Sequence, residues 1–227
     1  MTFQRLEPQV FVSGLGLKFT QSVIDLSGGV LFILLCLTAV SAIILGMGMT
    51  TTAVYITVAA LIVPSLIESG IMPIAAHMFA FYFGVVSTIT PPVALASFAG
   101  AAIAKSPPMA TAVESSKVGI AKYIVPFAFV YNPSLLMEGP IIWSIYSLIS
   151  VLFAYWSMTL GLEGWFNGKL NVFKRTLAIL SSVTLLVPPL QNIYGIDGIF
   201  FNFLGIFILM IIYYLQGKLN FNMKVTS

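Results

Sequence analysis

The chain has 227 residues, of which 59% are hydrophobic and only 7% charged, with a mean hydropathy of +1.04. A soluble domain carries roughly 25% charged residues, so this composition excludes a soluble globular protein and points to an integral membrane one. The formal net charge of +3 is small and scattered, which excludes a nucleic-acid-binding stripe and fits the loop charges of a membrane protein.

Residues 1–22 lack the basic end, apolar core and small-residue cleavage site of a signal peptide. Within them Val10 to Phe19 mixes apolar residues with glycine and Lys18, and reads as an interfacial or connecting segment. Asp25 marks the edge of the first apolar segment, Leu26 to Leu45, close to the ~20 residues a spanning helix needs. It contains the lone cysteine, Cys36, which excludes an intramolecular disulfide or a cysteine-based metal site and reads as packing. The segment runs into Gly46-Met-Gly-Met-Thr-Thr-Thr-Ala53, where small and hydroxylated residues interrupt it. Thr51 to Val63 is apolar but short for a span, and Pro64 closes it. Together these read as a re-entrant hairpin with its tip at Gly46–Thr52, glycine permitting the tight turn.

Pro64 to Met72 reads as a connection containing Glu68. Pro73 opens a helix, as proline suits a first helical position, and that helix passes His77 and Phe79 to Val86. Ser87-Thr-Ile-Thr-Pro-Pro92 then breaks it: Pro91 biases Thr90 away from helix, and the two prolines remove two backbone donors. Val93 to Ala104 resumes as a small-residue helix, so Pro73–Ala104 makes one discontinuous span. Ala110 to Lys122 reads as an amphipathic elbow in the interface, with Glu114 and Lys117 pairing three residues apart. Ile124 to Met137 is interrupted by Pro126 and Asn132-Pro133. The spans Ile141–Leu160, Thr176–Leu190 and Ile199–Leu215 follow, separated by a polar loop and a turn at Gln191–Gly198. Placing Lys105, Lys117 and Lys122 inside puts Lys169, Lys174, Arg175, Lys218 and Lys224 inside as well, with Glu138 and the Gln191–Asp197 turn outside; Arg5 and Lys18 run against that pattern.

Freed backbone groups in hydrocarbon must find partners, so broken helices at membrane depth line a cavity or bind something. Two breaks about forty residues apart are the sequence's pointer to a transport site. The candidate substrate- and ion-binding residues are Gly46, Gly48, Thr50, Thr51, Thr52, Thr88, Thr90, Pro91 and Pro92. Thr51, Thr52, Thr88 and Thr90 are the candidate Na+ ligands, since hard cations take oxygen ligands. The alternative is that these hydroxyls only bond their own helix backbone, and that Gly46 and Gly48 only pack. His77, the sole histidine, reads as structural, with proton relay as its other reading. Tyr55 and Phe79–Phe83 read as packing. No paired catalytic groups occur, so an intramembrane enzyme is not expected.

The run Gly46 to Tyr55 resembles the large permease subunit of TRAP transporters, in particular the fused branch paired with TAXI-type periplasmic receptors. Pro73-Ile-Ala-Ala-His77, Phe81-Tyr-Phe-Gly84, Ile89-Thr-Pro-Pro-Val-Ala-Leu95 and Ile124-Val-Pro-Phe-Ala-Phe-Val-Tyr-Asn-Pro133 agree with it, so the resemblance covers Leu26 to Gly139. Thr50 stands where many relatives have proline, and Ala94 where other branches have glycine. The resemblance implies an all-α, polytopic, elevator-type fold of the ion-transporter superfamily, with two inverted repeats, each a re-entrant hairpin and a discontinuous helix. Only the second repeat is seen here. The expected organisation is 1–22 as connecting segment, 23–139 as second-repeat transport unit and 140–227 as C-terminal transmembrane helices. The implied function is a partial permease subunit importing organic acids, such as C4-dicarboxylates or amino acids, with Na+ as coupling ion and H+ as the alternative. Its implied partners are the N-terminal half of the permease on another chain, a TAXI-type periplasmic receptor, a small organic anion and the lipid bilayer, with no nucleic acid. The implied location is the bacterial inner membrane, multi-pass. The competing expectation is a truncated, non-transporting remnant or membrane anchor.

Overall fold

Two adjacent glycines decide where the first apolar run becomes a helix. Gly28 and Gly29 have φ of +58° and +78°, the left-handed region that glycine enters without steric cost. They separate α1 (Leu15–Ser27) from α2 (Leu31–Gly46). The apolar segment expected from Leu26 is therefore shortened at its start, and Leu26 belongs to the last turn of α1. The computed structural model describes residues 15–166, 168–193 and 195–225, so Val10 to Gly14 lies outside the described residues. The chain divides into two units, Met1–Val130 and Tyr131–Ser227.

In the first unit α2 gives way at Met47 to a link that ends at Thr50. The chain then forms α3 (Thr51–Leu61) and α4 (Val63–Glu68). Pro64 does not close the apolar stretch into a loop as expected. It sits in the first turn of α4, where its missing N–H has no helical partner to lose, and only Ser69 to Met72 is a connection. Next come α5 (Pro73–Val86), an irregular stretch with a cis Pro91–Pro92 bond, and α6 (Leu95–Ala104). The expected elbow is two helices, α7 (Pro108–Val118) and α8 (Ile120–Tyr131), parted at Gly119. Pro126, expected to interrupt, lies inside α8 without ending it; prolines are tolerated in helices of a lipid medium because neighbours re-satisfy the freed groups.

Helices α2, α3 and α5 pack mutually, with Leu34, Leu35, Val54, Val58, Ala76, Phe79, Ala80 and Val86 at 2% exposure or less. Phe127 of α8 sets its ring against Phe32, Phe79 and Phe83 at centroid distances of 6.0, 5.4 and 5.9 Å, two of them edge-on. Such pairs add about 0.5–1.5 kcal/mol beyond area burial. Phe79 and Phe83 are thus core, and Phe81 is the outward-facing member of that run.

In the second unit a 3₁₀ turn (Pro133–Leu136) precedes α9 (Ile141–Glu163). Helix α10 (Val172–Leu185) follows. It starts earlier and ends earlier than the expected Thr176–Leu190 because the Asn171 side chain accepts from the Val172 N–H at its start and Pro188 and Pro189 follow its end. A two-residue hairpin, β1 (Asn192–Ile193) with β2 (Ile196–Asp197), leads into α11 (Gly198–Val225). Among the described residues two helices are long and apolar enough to cross a membrane, α9 and the Gly198–Gln216 part of α11.

The side-chain distribution of α9 is inverted relative to a soluble helix. Ser144, Ser147, Ser150, Ala154, Ser157 and Gly161 are buried, while Ile142, Ile145, Leu152 and Trp156 face outward. A lipid solvent reverses the usual sorting, because association there uses close backbone approach and polar contacts rather than apolar burial. Ser150 and Ser157 Oγ donate to the Leu185 and Ala178 carbonyls of α10, both at 2.7 Å. Gly161 is required by contact: a Cβ there would stand 2.7 Å from Ile179 Cγ1. Ser181 Oγ likewise donates to Gly205 O of α11 at 2.8 Å.

Candidate functional site

Gly46 ends α2 and Ser87 ends α5, and the two meet although 41 residues separate them. Ser87 Oγ lies 2.6 Å from Gly84 O of its own helix and 3.2 Å from Gly46 O. Both residues are buried. A Cβ on Gly46 would collide with Ser87 Oγ and lie 2.8 Å from Ser87 Cβ and 3.0 Å from Val54 Cγ1. A Cβ on Gly84 would meet the same Val54 methyl at 2.9 Å. Val54, in the first turn of α3 and fully buried, thus fills a notch between two glycines on different helices. Beyond these ends the links run near each other: a Cβ built on Gly48, at φ +80°, would stand 4.0 Å from Val93 Cγ1. The two breaks are one place in the fold.

The candidate hydroxyls divide into two sets there. Thr50, Thr51 and Thr52 are exposed, and Thr50, at the N-cap of α3, makes no side-chain capping bond. Thr88 and Thr90 are half-buried and donate to Val85 O and Val86 O of α5, each at 2.7 Å. That is the backbone bonding weighed as the alternative to ligation. It commits each hydroxyl hydrogen but leaves oxygen lone pairs, since a hydroxyl carries one donor and two acceptor positions. Pro91 is half-buried and Pro92 exposed.

Several residues at this place have no counterpart among those picked from the sequence. Ser97, in the first turn of α6, is 5% exposed and its hydroxyl has no partner among the described residues. Ser116 Oγ donates to Ile89 O at 3.0 Å, and Tyr123 OH lies 2.7 Å from Thr90 Oγ1. Tyr55 OH and His77 Nδ1 are 3.0 Å apart, joining α3 to α5, with Phe81 edge-on to Tyr55 at 5.8 Å. The bond ties His77 to a partner on α3 that the sequence did not name. The signal for Ser116 and Tyr123 was present as spacing: with Gly119 they stand at i, i+3 and i+7, one helix face.

The two broken segments themselves carry no formal charge. Glu68 is the sole formally charged side chain between Leu26 and Ala104. Among the described residues no cluster of three or more His, Cys, Asp or Glu side chains could hold a metal ion. The oxygens at the two breaks belong to hydroxyls and carbonyls, a donor type that hard cations take. The links lead directly into the N-termini of α3 and α6. Neither helix has a side-chain cap, and their positive dipole ends face the links, although in α6 the Ala96 N–H already donates to Thr88 O at 3.0 Å.

Residues 4–144 match the family model described as "Tripartite ATP-independent periplasmic transporter, DctM component". The chain belongs to this family. No curated protein and no solved structure matches it. DctM membership makes the chain a component of a membrane transporter rather than an enzyme, places it in a lipid bilayer, and implies a substrate-binding receptor as partner. The matched residues contain both breaks and the helices that hold them, while α10 and α11 lie beyond the match. The helical architecture and the outward apolar faces of α9 and α11 agree with that setting.

Proposed function

We propose that this DctM protein is a sodium-coupled permease subunit that carries a small organic anion through the place where its two helix breaks meet. The observation that carries the proposal is the Gly46–Ser87 junction, between two broken segments that themselves carry no formal charge. Thr51, Thr52, Thr88 and Thr90 supply neutral oxygens for Na+, with H+ as the alternative coupling ion. The uncapped N-termini of α3 and α6 favour negative charge and suit a carboxylate such as a C4-dicarboxylate or an amino acid. In this reading α2 and α3 form a re-entrant hairpin, α5 and α6 form the discontinuous helix, and the Val54 notch makes them travel as one elevator block.

In this reading a matching hairpin and broken helix stand opposite them, and the test below supplies that unit on a second chain. Support comes from the exposed hydroxyls of Thr50, Thr51 and Thr52, which in hydrocarbon need polar partners. A TAXI-type periplasmic receptor delivers the solute, and the setting is the bacterial inner membrane.

The test is uptake of labelled succinate or glutamate into proteoliposomes under an inward sodium gradient. The chain is reconstituted with its receptor, with and without a co-expressed chain carrying the other hairpin. Uptake is expected only with both chains. Thr88→Val, which keeps shape and removes the hydroxyl, is expected to raise half-saturating sodium at least about tenfold, the scale of one bond to a charged group. Uptake indifferent to sodium and to Thr88→Val overturns the ion site; uptake by the chain alone overturns the partner chain.

A further inference from the structure

The second break does not hang free between α5 and α6: the α7–α8 pair grips it at three points. Ser116 Oγ donates to Ile89 O at 3.0 Å and shares that hydrogen with Ala112 O at 3.0 Å. The Ile89 side chain sits over Gly119, where a Cβ would stand 2.7 Å from Ile89 Cδ1. Tyr123 OH is 2.7 Å from Thr90 Oγ1. Because Thr90 gives its only hydroxyl hydrogen to Val86 O at 2.7 Å, Tyr123 must be the donor. The result is a relay, Tyr123 OH to Thr90 Oγ1 to Val86 O, that fixes the Thr90 rotamer and the direction of its remaining lone pair. Ser116, Gly119 and Tyr123 share one face across the α7–α8 junction, and glycine at its centre admits Ile89 into the gap.

We infer that Ser116 and Tyr123 are positioning residues for the transport site: they hold the Ile89–Thr90 backbone and aim the Thr90 hydroxyl, so that ordering of the second break depends on the α7–α8 pair. The inference rests on the proposed ion site for its sodium arm alone; the grip itself is a property of the chain in any buffer. Losing one such neutral hydrogen bond changes an equilibrium by about threefold to tenfold.

The experiment is amide hydrogen exchange on the full chain in lipid nanodiscs, following the N–H groups of Ile89, Thr90 and Ala96. These bond to Val86 O, Ser87 O and Thr88 O respectively. Wild type, Tyr123→Phe, Ser116→Ala and Ser116→Thr are compared in choline chloride and then across a sodium chloride titration. Without sodium, Tyr123→Phe and Ser116→Ala are expected to speed exchange at these amides about threefold or more. Amides of α3 are expected to be unchanged, and Ser116→Thr, which keeps the hydroxyl, to behave as wild type. With sodium, Tyr123→Phe is expected to raise the midpoint of protection by a similar factor, an effect that a merely structural bond would not have. Unchanged exchange at the break in both variants overturns the grip. A midpoint unmoved by Tyr123→Phe overturns its aiming of Thr90. If sodium protects nothing in wild type, the ion reading falls, and the sodium-free comparison still decides whether the α7–α8 pair holds the break.

Discussion

At Gly46 a single missing methyl group sets how closely two broken helices approach. Its Cβ direction points into Ser87, whose hydroxyl cannot swing away without losing the Gly84 carbonyl. Gly46→Ala is expected to destabilise the chain by about 1–3 kcal/mol, the usual cost of overpacking a filled site. Because the clash is with the Ser87 side chain, Ser87→Gly in the same chain is expected to recover most of the loss. A thermal-unfolding double-mutant cycle in nanodiscs measures this; an additive double mutant would show that the two residues do not meet. The same scale separates ordering contacts from incidental ones. The Glu114–Lys117 pair is formed at 2.9 Å as expected, yet both side chains are 65% exposed, and exposed pairs contribute about 0–1 kcal/mol. Its removal leaves the α7–α8 grip intact, whereas the half-buried Tyr123–Thr90 bond is part of that grip.

At the scale of elements, the helices of the second unit are joined by hydroxyl and amide side chains that close on neighbouring backbones. Asn202 of α11 is fully buried beside the end of α10. Its amide nitrogen, turned toward the carbonyls, donates to Thr184 O at 3.0 Å and Val187 O at 3.1 Å, at the end of α10, where Thr184 O also accepts from the Val187 N–H at 3.4 Å. Asn202→Leu keeps the volume, removes both donors and is expected to lower the melting temperature of the full chain. Thr184 O keeps the Val187 N–H, so the loss falls on Val187 O, and one orphaned carbonyl is worth about 1–3 kcal/mol. An unchanged melting temperature would show that water or lipid headgroups already serve that carbonyl. Much of this was written in the chain: the small residues Ser150, Ala154, Ser157 and Gly161 recur at three- to four-residue spacing, the signature of close approach between helices in lipid. The identity of the carbonyl that each serine finds was not written there, because it depends on the register of a second helix.

For the whole molecule, the charges offer a test of how the chain threads the bilayer. With Cys36 replaced by alanine, single cysteines at Lys117, Lys169 and Lys174 are expected to resist a membrane-impermeant maleimide in right-side-out vesicles. Cysteines at Glu138 and Asp197 are expected to react, following the lysine and arginine bias. Labelling of both sets from one side would refute the threading. In the second unit α9 with 23 residues rises ~35 Å at 1.5 Å per residue, enough to cross a ~30 Å core, whereas α10 with 14 residues rises only ~21 Å. In the first unit α3 and α6, with 11 and 10 residues, are each less than ~17 Å long and cannot cross alone. Short limbs that stop at a shared junction are what a site at membrane depth requires.

The sequence by itself determined the solvent and the places of interruption. Hydrophobic composition demands lipid, and Gly48, Pro91 and Pro92 mark where helices stop, glycine by entering positive φ and proline by its missing donor. It did not determine the start of α2, the helix at Pro64 or the continuity of α8 through Pro126, where local signals pointed one way and neighbouring packing the other. Only the tertiary structure decided that the two breaks coincide at Gly46 and Ser87, that Val54 seals them together, and that Ser116 and Tyr123 hold the second one. Those are contacts between residues distant along the chain, and no periodicity within one segment carries the position of another.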